Sequence, residues 1–174
     1  MPLRITYTVF IFTLLCWLKP VSAEIPFVGL SVGPAKSSST GQFDVNSSLY
    51  LFAGLQTEYL LTYEIGISLF KTTTPPDKTT SEDYVLQQLT GSALVHLPMG
   101  DSSVFIRLGF SAYQYYDEVG LLRDIFAPTY GAGFDFAIKH RQTIRLEWQR
   151  YAGLKFNNAE FEFETVRVGF YIYF

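Results

Sequence analysis

From Glu24 to Phe174 the chain carries no sustained helical period; apolar residues instead alternate with polar or small ones in eight segments. A period of two sends alternate side chains to opposite faces of a strand, so the pattern restricts the fold to β-structure with two chemically distinct surfaces. The last segment shows it to the final residue. Val166, Val168, Phe170, Ile172 and Phe174 share one face, and Arg167, Gly169, Tyr171 and Tyr173 share the other. The eight segments cover 26–35, 43–55, 59–70, 84–97, 104–115, 129–139, 143–151 and 161–174. Short connections (56–58, 98–103, 140–142) alternate with long ones (36–42, 71–83, 116–128, 152–160), the rhythm of an all-β, eight-stranded antiparallel up-and-down barrel.

Parity assigns the faces. Leu49, Leu51, Ala53 and Leu55 fall together, as do Ile106, Leu108 and Phe110, and Phe134, Phe136 and Ile138. Opposite them fall Gly54, Glu64, Gly66, Arg107, Gly109, Gly131, Gly133, Asp135, Arg145, Glu147, Arg167 and Gly169. A soluble barrel would turn the charges outward, yet glycine on an outer soluble face only weakens a strand. Small residues beside long charged ones suit the crowded interior of a narrow barrel, so the apolar face is expected to meet lipid. Composition agrees: aromatic and charged residues each make up 17% of the chain, the first high and the second low for a water-facing domain.

Residues 1–23 read as a cleaved signal peptide. Arg4 precedes an apolar run from Ile5 to Leu18, and Val21-Ser22-Ala23 supplies small residues for cleavage after Ala23. The run is too short to span a bilayer as a helix. Residues 24–174 are then one barrel domain, without cysteine because Cys16 is the only one. Loss of Arg4 and Lys19 leaves 11 basic against 16 acidic residues, and that acidic balance excludes nucleic acid as a partner.

Six ionisable residues fall mid-strand on the inner face: Glu64, Asp135 and Glu147 against Arg107, Arg145 and Arg167. Eight strands enclose a space that side chains can fill, so these six predict a salt-bridged plug. Arginine suits the task because its planar fork can serve two carboxylate oxygens at once. A gate, in which Arg145 or Arg107 exchanges carboxylate partners, is the sharper alternative.

The segment 53–67, with Gly54, Tyr63, Glu64 and Gly66, resembles the second hairpin of the OmpA-like transmembrane domains, the small eight-stranded barrels of Gram-negative outer membranes. Ile106-Arg107-Leu108-Gly109, Tyr130-Gly131-Ala132-Gly133-Phe134-Asp135-Phe136 and Arg145-Leu146-Glu147-Trp148-Gln149 resemble three further strands. The carboxyl-terminal pattern, with Gly169, Ile172 and Phe174, resembles the signal read by the barrel-assembly machinery. The resemblance implies an integral protein of the cell outer membrane with short periplasmic turns, longer extracellular loops and both mature termini periplasmic. It also implies contact with outer-membrane lipids, including lipopolysaccharide. Glu64, Arg107, Asp135 and Arg145 match charged interior positions of the family, whereas Leu94 stands where its prototype has an interior lysine, and Ser31 replaces a basic residue.

The function expected is non-enzymatic: a structural role in envelope integrity, with surface adhesion through the extracellular loops. A narrow porin gated by the interior charges is the alternative, and a lipid A-modifying enzyme a distant third. Acyl-ester chemistry needs a histidine near a serine at the outer leaflet, and His96 and His140 both map beside short turns. No spacing suggests a metal or cofactor site. Leu121, Leu122 and Phe126 put apolar groups in the third long loop and are the candidate contact for a host or surface ligand.

Overall fold

The computed structural model describes residues 24–37, 46–57, 60–72, 84–116, 122–156 and 159–174; the expected signal peptide and its cleavage site at Ala23 lie outside them. Eight strands follow in order: β1 (Ile25–Ser37), β2 (Asn46–Gln56), β3 (Leu61–Thr72), β4 (Tyr84–Met99), β5 (Ser102–Tyr116), β6 (Leu122–Lys139), β7 (Gln142–Phe156) and β8 (Ala159–Tyr173). Each pairs antiparallel with the next, and β8 pairs with β1 to close the barrel. Closure leaves no strand edge without a ladder partner.

The stagger of that closure follows from the register. From Thr143 the partners run to Tyr171, Gly29, Phe52, Gly66, Thr90, Ser111 and Ala127. Thr143 itself pairs with Ala137, so one circuit returns to β6 displaced from Ala137 to Ala127, ten residues along the strand. A shear larger than the strand number tilts the strands steeply and brings residues distant in sequence to one level of the interior.

Turns at one end are tight. β4 and β5 join through Gly100-Asp101 alone, with Gly100 at φ 67°, as at the first central position of a type II′ turn. That is shorter than the 98–103 connection expected, because Pro98 and Met99 still pair with Ser103 and Ser102. His140-Arg141 joins β6 to β7, after a register shift between Ala137 and Lys139.

At the opposite end the strands outrun their expected limits. β6 begins at Leu122, not near Thr129, and β7 and β8 continue to Phe156 and from Ala159, so the fourth long connection reduces to 157–158. Phe126 is therefore a strand residue paired with Ala112 and not a loop residue. Leu122 is placed as the first residue of β6, and Leu121 lies outside the described residues.

Both faces follow the parity of the sequence. Leu51, Ile67, Ile106, Leu108, Phe134, Leu146 and Val168 point outward and are roughly half exposed, whereas Tyr50, Leu94, Arg107 and Arg167 point inward with 0% exposure. So large an apolar exterior around a charged centre belongs in a bilayer.

Candidate functional site

Inside the wall formed by β1, β2 and β8 lies an aromatic cluster of Phe27, Tyr50, Phe52 and Tyr171, with Tyr173 packed against it. Phe27 meets Tyr171 at a centroid distance of 5.1 Å and Tyr173 at 5.7 Å, and Tyr50 stacks on Phe52 at 5.3 Å. Glycines make room for these rings: any side chain at Gly54 would run into the Phe27 ring, and one at Gly66 into the Tyr50 ring.

Beside that cluster the six charged residues form one chain of alternating sign. Arg145 grips Asp135 with both arms of its fork, Nε to Oδ1 at 2.8 Å and Nη2 to Oδ2 at 3.0 Å. Its Nη1 donates to Glu64 Oε2 at 2.6 Å, and the other Glu64 oxygen accepts from Arg107 Nη1 at 2.6 Å. Arg107 Nε donates to Glu147 Oε1, and Glu147 Oε2 lies 3.6 Å from Arg167 Nη2. The order Asp135, Arg145, Glu64, Arg107, Glu147, Arg167 thus crosses five of the eight strands. All six residues are at most 4% exposed, so each charge relies on its neighbours in the chain for the solvation water would give.

Aromatic rings hold the guanidinium planes. The Arg145 guanidinium lies 4.7 Å from the Phe105 ring centroid and 4.8 Å from that of Tyr171, and that of Arg167 lies 4.3 Å from Tyr50. Tyr50 also donates its hydroxyl to Glu64 Oε1 at 2.9 Å. Toward the long connections the network continues as neutral groups: Arg167 donates to Gln149, Gln149 to Thr129 at 2.7 Å, and Thr90 and Ser111 share a 3.0 Å bond.

All six predicted charges are brought together; Tyr50, Phe105, Tyr171 and Gln149 are partners that sequence reasoning did not assign to them. Their signal was present in the parity, since Tyr50 shares a face with Gly54 and Gln149 with Glu147. Leu94, where the family prototype has lysine, is wholly buried on the same inner face, as is Ser31. No fourth cation therefore enters the chain at either position.

His96 faces inward near the short turns, with Nδ1 3.2 Å from Ser103 Oγ and 3.7 Å from Asp135 Oδ2. A serine, a histidine and an aspartate do meet here. Both partners crowd the same ring nitrogen, however, whereas proton relay needs the aspartate on one nitrogen and the nucleophile on the other. His140 is exposed in its turn.

The remaining predicted residues lie apart from the lumen network. Gly169 faces inward, where a side chain would meet the Ser31 Cβ at 2.7 Å, while Ile172 and Phe174 face outward, 37% and 67% exposed. The Phe174 backbone nitrogen donates to Pro26 O at 2.9 Å, tying the last residue to the first strand. Phe126 is on the outer face, 75% exposed.

No protein-family model and no curated protein matches the sequence. The fold is matched among solved structures. Neisserial surface protein A superposes with a TM-score of 0.70 at 15% identity, over 86% of this chain and 97% of that one. Ail, the attachment invasion locus protein of Yersinia pestis, in complex with the heparin analogue sucrose octasulfate, gives 0.58 at 11% identity over 87% and 99%. The N-terminal β-barrel domain of Pseudomonas aeruginosa OprF gives 0.58 at 8% over 87% and 100%. This chain has the fold of the small eight-stranded outer-membrane barrels.

Proposed function

We propose that this protein is a sealed, non-catalytic barrel of the outer membrane that serves envelope integrity and presents its long connections to the outside as a contact surface. One observation carries the sealed state. Even the small inward side chains Thr90, Ser111 and Ser68 are 0% exposed, as are Arg107 and Arg167, so no water-sized space adjoins them. A lumen packed to that degree leaves no aqueous path past these residues.

In this reading the short turns and both ends of the barrel domain, 24–174, face the periplasm once a signal peptide, 1–23, has been removed. The outer wall meets acyl chains, with lipopolysaccharide in the outer leaflet, and the last strand, with Gly169, Ile172 and Phe174, is what the barrel-assembly machinery engages. Support for surface contact comes from the likeness to Ail, described as an attachment invasion protein. Leu121 and Leu122 are the residues proposed for that contact. A lipid-modifying activity finds no support in the one-sided contacts of His96.

A gated narrow pore is the second reading, favoured by Glu64, whose two oxygens accept from different arginines and so provide the point at which partners exchange. Planar-bilayer conductance of the folded protein decides between them, with insertion verified by a change in gel mobility on boiling. Silence from verified folded protein is the expected result; steady current steps would replace the sealed barrel by the pore.

A further inference from the structure

The outward apolar band is not level around the barrel. On β6 seven successive outward positions, Phe126, Pro128, Tyr130, Ala132, Phe134, Phe136 and Ile138, are apolar or aromatic without interruption. On β7 only Ile144, Leu146 and Trp148 are, bounded by Gln142 below and Arg150 above. Arg150 does not stand alone. It donates to Glu162 and lies 3.3 Å from Glu164 on β8, and Glu164 is the register partner of Lys36 on β1.

Register converts this into a difference of level. Arg150 pairs with Tyr130, and Phe126 lies four residues beyond Tyr130 toward the long connections. With strand rise and tilt taken together, Phe126 stands about 7 Å further out along the barrel axis than Arg150. Phe126 and Phe110 are 75% and 71% exposed, the most open of the large apolar side chains described. They lie diagonally across the β5–β6 ladder, where Phe110 faces Pro128 and Phe126 faces Ala112.

We propose that the acyl region of the outer leaflet rises along the β5–β6 face to cover Phe126 and dips at the β7–β8 face, where polar headgroups descend to Arg150 and its register partner Glu164. This rests on the outer-membrane reading above. Lipid is the occupant because the β6 stripe runs without a break from Phe126 into the mid-wall positions Ala132 and Phe134, so whatever solvates those residues continues to Phe126. Charges at β7 and β8 cannot enter hydrocarbon at that level without large cost, whereas an exposed phenylalanine gains by leaving water. A bilayer deforms by several ångströms at modest cost to meet such a wall.

Depth-resolved quenching tests the uneven boundary. The full-length protein, expressed in a Gram-negative host and extracted from its membranes, is placed in phosphatidylcholine bilayers brominated at defined acyl positions. Trp17 is first changed to Phe, which leaves Trp148 as the one tryptophan. Variants W148F/F126W and W148F/E164W then report the two faces, and W148F/A112W replaces the first if it does not fold. The expected result is strong quenching of the residue-126 probe by bromines near the headgroup end of the acyl chain, with little quenching by aqueous acrylamide and the reverse pattern at residue 164. A residue-126 probe open to acrylamide and untouched by bromine overturns the proposal, and so does one shielded from both, which would mean that protein covers this face. Trp148 in the otherwise unchanged wall is the separate control: its failure to be quenched by bromolipid would refute the membrane reading itself.

Discussion

Glu64 is the residue on which the interior chain of charges depends most. It alone among the three acids accepts from two arginines at 2.6 Å each and from a tyrosine hydroxyl at 2.9 Å. Glu64→Gln removes the charge while keeping the shape, leaving three cations against two anions in a space without water. The expected cost is about 3–5 kcal/mol, read as a fall in the urea midpoint of unfolding from lipid vesicles; a midpoint equal to that of the parent protein would show that the network does not support the fold. Gly66 sits one step from this centre. Its missing side chain is the space in which the Tyr50 ring lies, and Tyr50 delivers its hydroxyl to Glu64. Gly66→Ala is expected to destabilise by about 1–3 kcal/mol through overpacking, measured in the same unfolding assay. Alanine is otherwise well tolerated in place of glycine in a strand, so a stabilised variant would remove the ring-over-glycine packing from the argument.

Single strands show where the sequence was legible and where it was not. Number, direction and facing of the strands follow from the period of two, because every strand crosses an apolar environment on one side only. Strand ends at the long connections did not follow. β8 beyond Val166 carries Glu164 and Glu162, polar residues at successive outward positions, so the alternation fades while the backbone ladder to β7 continues. Phe126 misled for a related reason: Ile125-Phe126-Ala127, between Asp124 and Pro128, shows no alternation and reads as loop, yet Phe126 is held by the ladder to β5. The six interior charges were legible as a set, but not their partners. Pairing Arg145 with Glu64 requires the ten-residue stagger, which no single strand reveals. The outer face of a strand also has its own test. Ile106 on β5 is 54% exposed in the middle of the band, and Met99 on β4 is 59% exposed at the short-turn end. Ile106→Arg is expected to cost about 2–4 kcal/mol and Met99→Arg about 0–1 kcal/mol, since a cation near the interface keeps its hydration. Equal costs in folding titrations on vesicles would mean that depth in a bilayer is not what distinguishes them.

A closed ring of eight strands without a free edge behaves as one unit. Every strand is hydrogen-bonded on both sides, and the charge chain links β3, β5, β6, β7 and β8 through the centre. Loss of any strand opens two edges and uncovers buried charge together, which leaves little for a partly unfolded state to be stable on. Trp148 fluorescence on the outer wall and the gel mobility of the whole barrel are therefore expected to report the same denaturant midpoint. Separate midpoints would reveal a subdomain within the ring. The ladder of β1 with β8 adds a consequence in time. Glu64 and Arg145 lie 81 residues apart, and Arg167, which ends the charge chain, arrives only with the last strand. Until β8 pairs with β7, Glu147 lacks one of its two cations, and until β8 meets β1 both outer strands offer open backbone. Contacts of such long sequence separation form slowly, so the incomplete chain is a species that must be escorted; the final strand acts as the clasp that ends its vulnerability to aggregation and proteolysis.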